Sequence, residues 1–190
     1  MAATQVIYQL IKHPEYIEEL LQEQKDIIGD KDTSSYTPAA YRQMVKLDSF
    51  IRETMRTRNT GIGLPHKNIT QNDIVLKSGA IIHPGESVYI NMYHIHMDES
   101  NQHMENTEEF QGFRFVGKDK TVTKPSNDFM SFGIGRNACP GRWFAIQQIM
   151  GIVSFFITNY HMSAASEIFI PGANGYAGPF KGSVKFQKRI

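Results

Sequence analysis

The sequence predicts a mainly α fold that carries small antiparallel β-sheets, and three observations lead there. Apolar residues recur at helical spacing over Thr4–Lys12, Pro14–Ile28, Val45–Arg58 and Arg142–Tyr160. Between Gly61 and Asn91 that period gives way to short β-branched runs divided by Gly and Pro. The chain, 190 residues with 41% hydrophobic content, is long enough to bury one sizeable core, so residues 1–190 are expected to form one domain.

Taken in order, Val6, Ile7, Leu10 and Ile11 mark the buried stripe of the first helix. His13-Pro14 ends it, because the residue before proline disfavours the helical region. The second helix, Pro14–Ile28, places Glu15, Glu18 and Glu19 at its positive end and buries Tyr16, Ile17, Leu20 and Leu21 until Gly29 stops it. A polar loop over Asp30–Thr37 leads to a short helix, Pro38–Met44, and then to Val45–Arg58. Ile74-Val75-Leu76 and Ala80-Ile81-Ile82 flank Lys77-Ser78-Gly79, a hairpin signal, and His83-Pro84-Gly85 turns the chain into a strand over Ser87–Asn91. Val116–Asp128 is polar loop. After Arg142–Tyr160, the runs Ile168-Phe169-Ile170 and Val184-Lys185-Phe186, bordered by glycines, predict a terminal hairpin.

Composition excludes several functions. Twenty Lys+Arg stand against nineteen Asp+Glu, a net charge of +1, and no basic stripe suits nucleic acid. One cysteine excludes an internal disulfide framework and any multi-cysteine zinc site. No apolar run reaches the roughly 18–20 residues needed to cross a bilayer, and Met1-Ala-Ala-Thr4 leads straight into an amphipathic pattern, so no membrane anchor is expected within this chain.

The chemistry concentrates in Phe132-Gly133-Ile134-Gly135-Arg136-Asn137-Ala138-Cys139-Pro140-Gly141, which holds the sole cysteine. Pro140 suits a first helical turn, placing Cys139 at or just before a helix N-terminus, where free N–H groups favour a thiolate. Gly133, Gly135 and Gly141 permit tight turning and close approach to a flat partner, against which Phe132 can pack. A thiolate so presented is a good soft ligand for a metal such as haem iron. The plainer reading, a small buried hydrophobe, is the common state of a lone cysteine. His94 and His96 form a His-x-His pair for which a structural or surface role is expected ahead of metal binding.

These ten residues resemble the haem-binding loop of the cytochrome P-450 family, Phe-x-x-Gly-x-Arg/His-x-Cys-x-Gly. Phe132, Gly135, Cys139 and Gly141 match, while Asn137 stands at the Arg/His position beside Arg136 and Arg142. Glu53-Thr54-Met55-Arg56 is similar to the family's Glu-x-x-Arg helix. Glu109–Phe115 resembles its Pro-x-x-Phe-x-x-x-Arg-Phe meander, with Thr107 in place of proline, which predicts a looser turn. His13-Pro14-Glu15-Tyr16 and His96-Met97-Asp98 resemble fungal members.

The resemblance implies the C-terminal part of the P-450 fold, a partial domain lacking the N-terminal half and most of the central helix. It implies haem with Cys139 as axial iron ligand and Phe132, Gly135, Arg136 and Gly141 around it. Arg114 is then the expected partner of Glu53 and Arg56, with two guanidinium forks clamping one carboxylate. The implied activity is a haem-thiolate monooxygenase that inserts one oxygen atom of O2 into an apolar small molecule of secondary metabolism, with electrons from NADPH through a reductase. Full-length members are usually anchored to the endoplasmic reticulum. No catalytic residue, Thr4 included, is assigned in this chain, and Phe180 is a candidate substrate contact. The alternative is a non-catalytic haem-binding or partner-binding remnant.

Overall fold

The computed structural model describes residues 2–29, 36–58, 62–169 and 181–189. Helix α1 spans Ala2–Lys12, and a 3-10 turn over Pro14–Tyr16 leads into α2, Ile17–Ile28. The second helical segment is therefore two pieces, because Pro14 and its neighbours take the tighter 3-10 turn before the α-helix begins. Gly29 ends α2 at φ 68°, a left-handed value that glycine adopts at little cost. Helix α3 covers only Pro38–Tyr41, its first turn capped by the Thr37 hydroxyl, which accepts a hydrogen bond from the Ala40 N–H. Helix α4 runs Val45–Arg58.

Strand β1 (Ile62–Lys67) pairs antiparallel with β4 (Ser87–Asn91), and β2 (Ile74–Val75) with β3 (Ile81–Ile82). The β1–β4 register shifts between Gly63 and His66, where Leu64 takes a left-handed φ of 50°. Two short helices follow, α5 (Met92–Met97) and α6 (Glu99–Gln102), then a long loop and α7, Arg142–Asn159. Strand β5 (Tyr160–Ala164) continues from α7 and pairs with β6 (Val184–Lys188). The terminal hairpin is thus built by Tyr160–Ala164; Phe169 makes only an isolated bridge to Lys181. Ile170 and Phe180 lie outside the described residues.

The core lies where α1, α2, α4 and α7 meet. Val6 and Leu10, Leu20, Leu47, Phe50 and Ile51, and Val153 and Ile157 are all fully enclosed there. Helix α4 is unusual because its polar residues are enclosed too. Ser49, Arg52, Glu53, Thr54, Arg56 and Thr57 are all buried, so the helix has almost no solvated face. Those polar groups must find partners inside the protein.

Candidate functional site

Ser49, Arg52, Glu53 and Arg56 of α4 find partners in the loop between α6 and α7, while the Thr54 and Thr57 hydroxyls donate to carbonyls of α4 itself. The Glu53 carboxylate is wholly enclosed and receives a two-pronged bond from Arg56, Nε to Oε2 and Nη2 to Oε1, both 2.8 Å. Arg114 adds Nε to Oε1 at 3.1 Å, and the Gln111 N–H adds a fourth donor at 3.2 Å. The structure therefore brings Glu53, Arg56 and Arg114 together, with the carboxylate between two guanidinium groups.

Two cations around one anion leave a surplus positive charge, and main-chain oxygens face it. Arg56 also donates to the carbonyls of His96 (2.7 Å) and Thr107 (2.6 Å) and to the Met97 sulfur (3.4 Å). Arg114 donates to the carbonyls of Glu105, Asn106 and Glu109. Thr107 tightens this turn rather than loosening it. Its hydroxyl donates to the Met97 carbonyl while its own carbonyl accepts from Arg56, so the position expected to relax the loop is a tie point.

Arg52 completes the set and was not visible in any motif. Its guanidinium lies 3.9 Å from the centre of the Phe129 ring and 4.8 Å from that of Phe115, and Nη1 donates to the carbonyls of Thr121 and Lys124. Burial brings its pKa down to about 10, against the pull of the Asp128 and Asp48 carboxylates. Burial also lifts Asp48 to about 6, opposed by the hydrogen bond its carboxylate accepts from the Val122 N–H. Ser49 donates to the Gly112 carbonyl and accepts from the Phe115 N–H. The spacing of polar residues on α4 gives no signal for these roles, because the partners are rings and main-chain carbonyls distant in sequence.

The cysteine loop is shaped by its glycines and by main-chain bonds. Gly133 and Gly135 adopt φ of 72° and 63°, which side chains rarely take. The Cys139 N–H donates to the Phe132 carbonyl at 2.7 Å, and Gly133 to the Met130 carbonyl at 2.8 Å, closing the loop on itself. Phe132 packs against the core, while Arg136 is exposed on a 3-10 turn, Gly135–Asn137. Helix α7 opens at Arg142, with Gly141 at the N-cap, so Pro140 precedes the helix instead of occupying its first turn. The reason is Arg142. Its Nη1 takes the Cys139 carbonyl at 2.8 Å, its Nε takes the Thr123 carbonyl, and the Gly141 carbonyl becomes the first in the helical ladder.

Cys139 is a free thiol and is exposed. A side chain built at Gly135 would meet nothing within 4 Å, and one at Gly141 would meet only the Cys139 Sγ at 4.0 Å. Gly141 therefore leaves the space beside the sulfur clear, Gly135 has open space where a side chain would stand, and Phe144, 70% exposed, adds an apolar surface on the first turn of α7. An exposed soft donor with a glycine beside it, just ahead of a helical turn that exposes Phe144, fits a flat metallo-macrocycle. Among the described residues no group of three His, Cys, Asp or Glu side chains is placed to hold a bare metal ion. His94 is exposed and His96 is buried.

A sequence profile described as Cytochrome P-450 matches residues 1–170. The chain belongs to the cytochrome P-450 family. The P-450 chain is 30% identical over 173 residues to cytochrome P-450 monooxygenase sirB of Leptosphaeria maculans, an alignment covering 85% of this chain and 32% of the relative. It is 31% identical over 181 residues to cytochrome P-450 monooxygenase 3 of Gibberella fujikuroi, covering 84% of this chain and 34% of the relative. Among solved structures it resembles a zebrafish cytochrome P-450 determined with progesterone, with a TM-score of 0.77, 24% identity and coverage of 99% of this chain against 41% of the other. The chain spans about a third of the length of the curated relatives it matches. No helix among the described residues is long and apolar enough to cross a membrane.

Proposed function

We propose that this P-450 chain supplies the thiolate side of the haem site of a monooxygenase. In this reading one oxygen atom of O2 enters a small apolar molecule of secondary metabolism, and electrons come from NADPH through a reductase. The exposed thiol of Cys139 with the bare Gly141 beside it is the observation that carries the reading. Haem held by a thiolate supplies oxygen activation, because sulfur donation favours O–O cleavage.

The chain's own part is positioning. The Phe132 carbonyl and the Arg142 guanidinium grip the main chain of Cys139 from both sides, fixing where the sulfur points. Gly141 keeps the space beside it free, and exposed Arg136 offers a cation to the anionic edge of the macrocycle. The matching test is reconstitution of the purified chain with haem, followed by the spectrum of its reduced, CO-bound form. A red-shifted thiolate-type Soret band that is lost in Cys139→Ser supports the ligand assignment, and failure of the chain to take up haem overturns it. NADPH- and reductase-dependent product then supports the monooxygenase, whereas haem uptake without product marks a non-catalytic haem-binding module.

A further inference from the structure

We propose that His96 is a positioning residue for the cysteine loop, coupling the Glu53–Arg56–Arg114 cluster to the strand of chain that carries Cys139. The proposal rests on the haem-site reading above for its functional meaning, and on geometry for its mechanism. His96 is completely buried on α5. Its main-chain carbonyl accepts from Arg56 Nη1 at 2.7 Å, and its ring Nε2 lies 3.1 Å from the Met130 main-chain nitrogen. A main-chain N–H can only donate, so Nε2 accepts. The imidazole is therefore neutral, with its proton on Nδ1.

One residue thus touches the arginine cluster with its backbone and the cysteine loop with its ring. From Met130 the loop needs only two further bonds to reach the sulfur-bearing residue. The Met130 carbonyl accepts from Gly133, and the Phe132 carbonyl accepts from Cys139. The ring also stacks on Phe129, 5.6 Å between centres and 29° between planes, and Phe129 also faces the Arg52 guanidinium. Gln102 grips the same stretch one step earlier, its Nε2 donating to the carbonyls of Ile95 and Asp128, each at 2.6 Å. The loop is therefore held at Asp128, Phe129 and Met130 in succession, and the hold at Met130 depends on the lone pair of the His96 ring. Without that acceptor the part-buried Met130 N–H is left without its partner, and the root of the Cys139 loop is free to shift.

Two substitutions separate a lone pair from mere bulk. His96→Phe keeps an aromatic ring against Phe129 and removes the acceptor; His96→Gln keeps an acceptor at about the reach of Nε2. In the full chain, His96→Phe is expected to speed hydrogen exchange at the Met130 amide by about tenfold. In the haem-loaded chain it is expected to lower the thiolate-type fraction of the reduced, CO-bound spectrum several-fold. His96→Gln is expected to restore both. A long-range proton–nitrogen NMR correlation on the unaltered chain should show His96 protonated at Nδ1 alone, a result that does not depend on either variant folding. Protonation at Nε2, unchanged exchange in His96→Phe, or equal loss in the two variants each overturns the proposal. If the unaltered chain takes up no haem, the haem reading falls by itself, while the exchange and NMR results still decide whether His96 holds the loop.

Discussion

Replacing Glu53 by Ala removes the only anion between two buried guanidinium groups. Four donors lose their acceptor together: Arg56 Nε and Nη2, Arg114 Nε and the Gln111 N–H. Glu53 and Arg56 have no exposed side-chain surface and Arg114 only 6%, so water has little access to replace the carboxylate. Breaking a buried pair of this kind costs on the order of 3–5 kcal/mol, a large part of the roughly 5–15 kcal/mol that holds a typical domain together. Urea denaturation followed by circular dichroism is the assay, with the midpoint reporting stability and the slope reporting any change in the denatured ensemble. The sign of a second substitution sharpens the argument. Adding Arg56→Met to Glu53→Ala takes away a stranded charge, so the double variant should be no less stable than Glu53→Ala alone. A Glu53→Ala loss of unfolding free energy smaller than about 1 kcal/mol would refute the reasoning, since it would mean that the carboxylate is solvated in solution.

Asp48 gives a pH test. Burial holds its folded pKa at about 6, above the ordinary value of 3.8. The unfolded chain then loses this proton first, so the stability contributed by this group declines as pH rises from about 4 to about 6 and is flat beyond. Asp48→Asn can still accept from Val122 and carries no charge; it should flatten that part of the profile and raise stability at pH 7–8 by roughly 2 kcal/mol. Melts from pH 4 to pH 8 that show the same slope in both proteins would count against it. Gly112→Ala would set a methyl 2.6 Å from the Phe50 ring and 3.0 Å from Tyr16, in an aromatic cluster with little room to yield. It should cost about 1–3 kcal/mol in the same urea experiment.

Much of the helical frame is legible in the sequence because apolar spacing and punctuation agree. Val45–Arg58 and Ser87–Asn91 have the predicted bounds, and Gly29 ends α2 where it was expected to. The cysteine loop is legible for a different reason: its glycines mark backbone that other residues rarely adopt. What could not be read is which polar residue faces inward. Arg52 and Arg56 stand one helical turn apart and look like a solvated basic stripe, yet both are buried, because rings and carbonyls from residues 96–129 close over them. Those partners are more than 40 positions away in part, and a carbonyl has no signature in a one-letter sequence. The roles of Thr107 and His96 are hidden likewise, one held by its carbonyl, the other split between carbonyl and ring nitrogen.

Arginine forks that read main-chain oxygens leave a particular mark on the segment they hold. Arg52, Arg56 and Arg114 address the carbonyls of His96, Glu105, Asn106, Thr107, Glu109, Thr121 and Lys124, atoms that every amino acid carries. Side-chain identity there is free to drift wherever it serves only solvent, but residue count is not. Deleting or inserting a single residue between 105 and 109 would slide the oxygens out of step with Arg56 on its helix and with Arg114, itself tied to the same Glu53 carboxylate, so this stretch should tolerate spelling changes far better than changes of length.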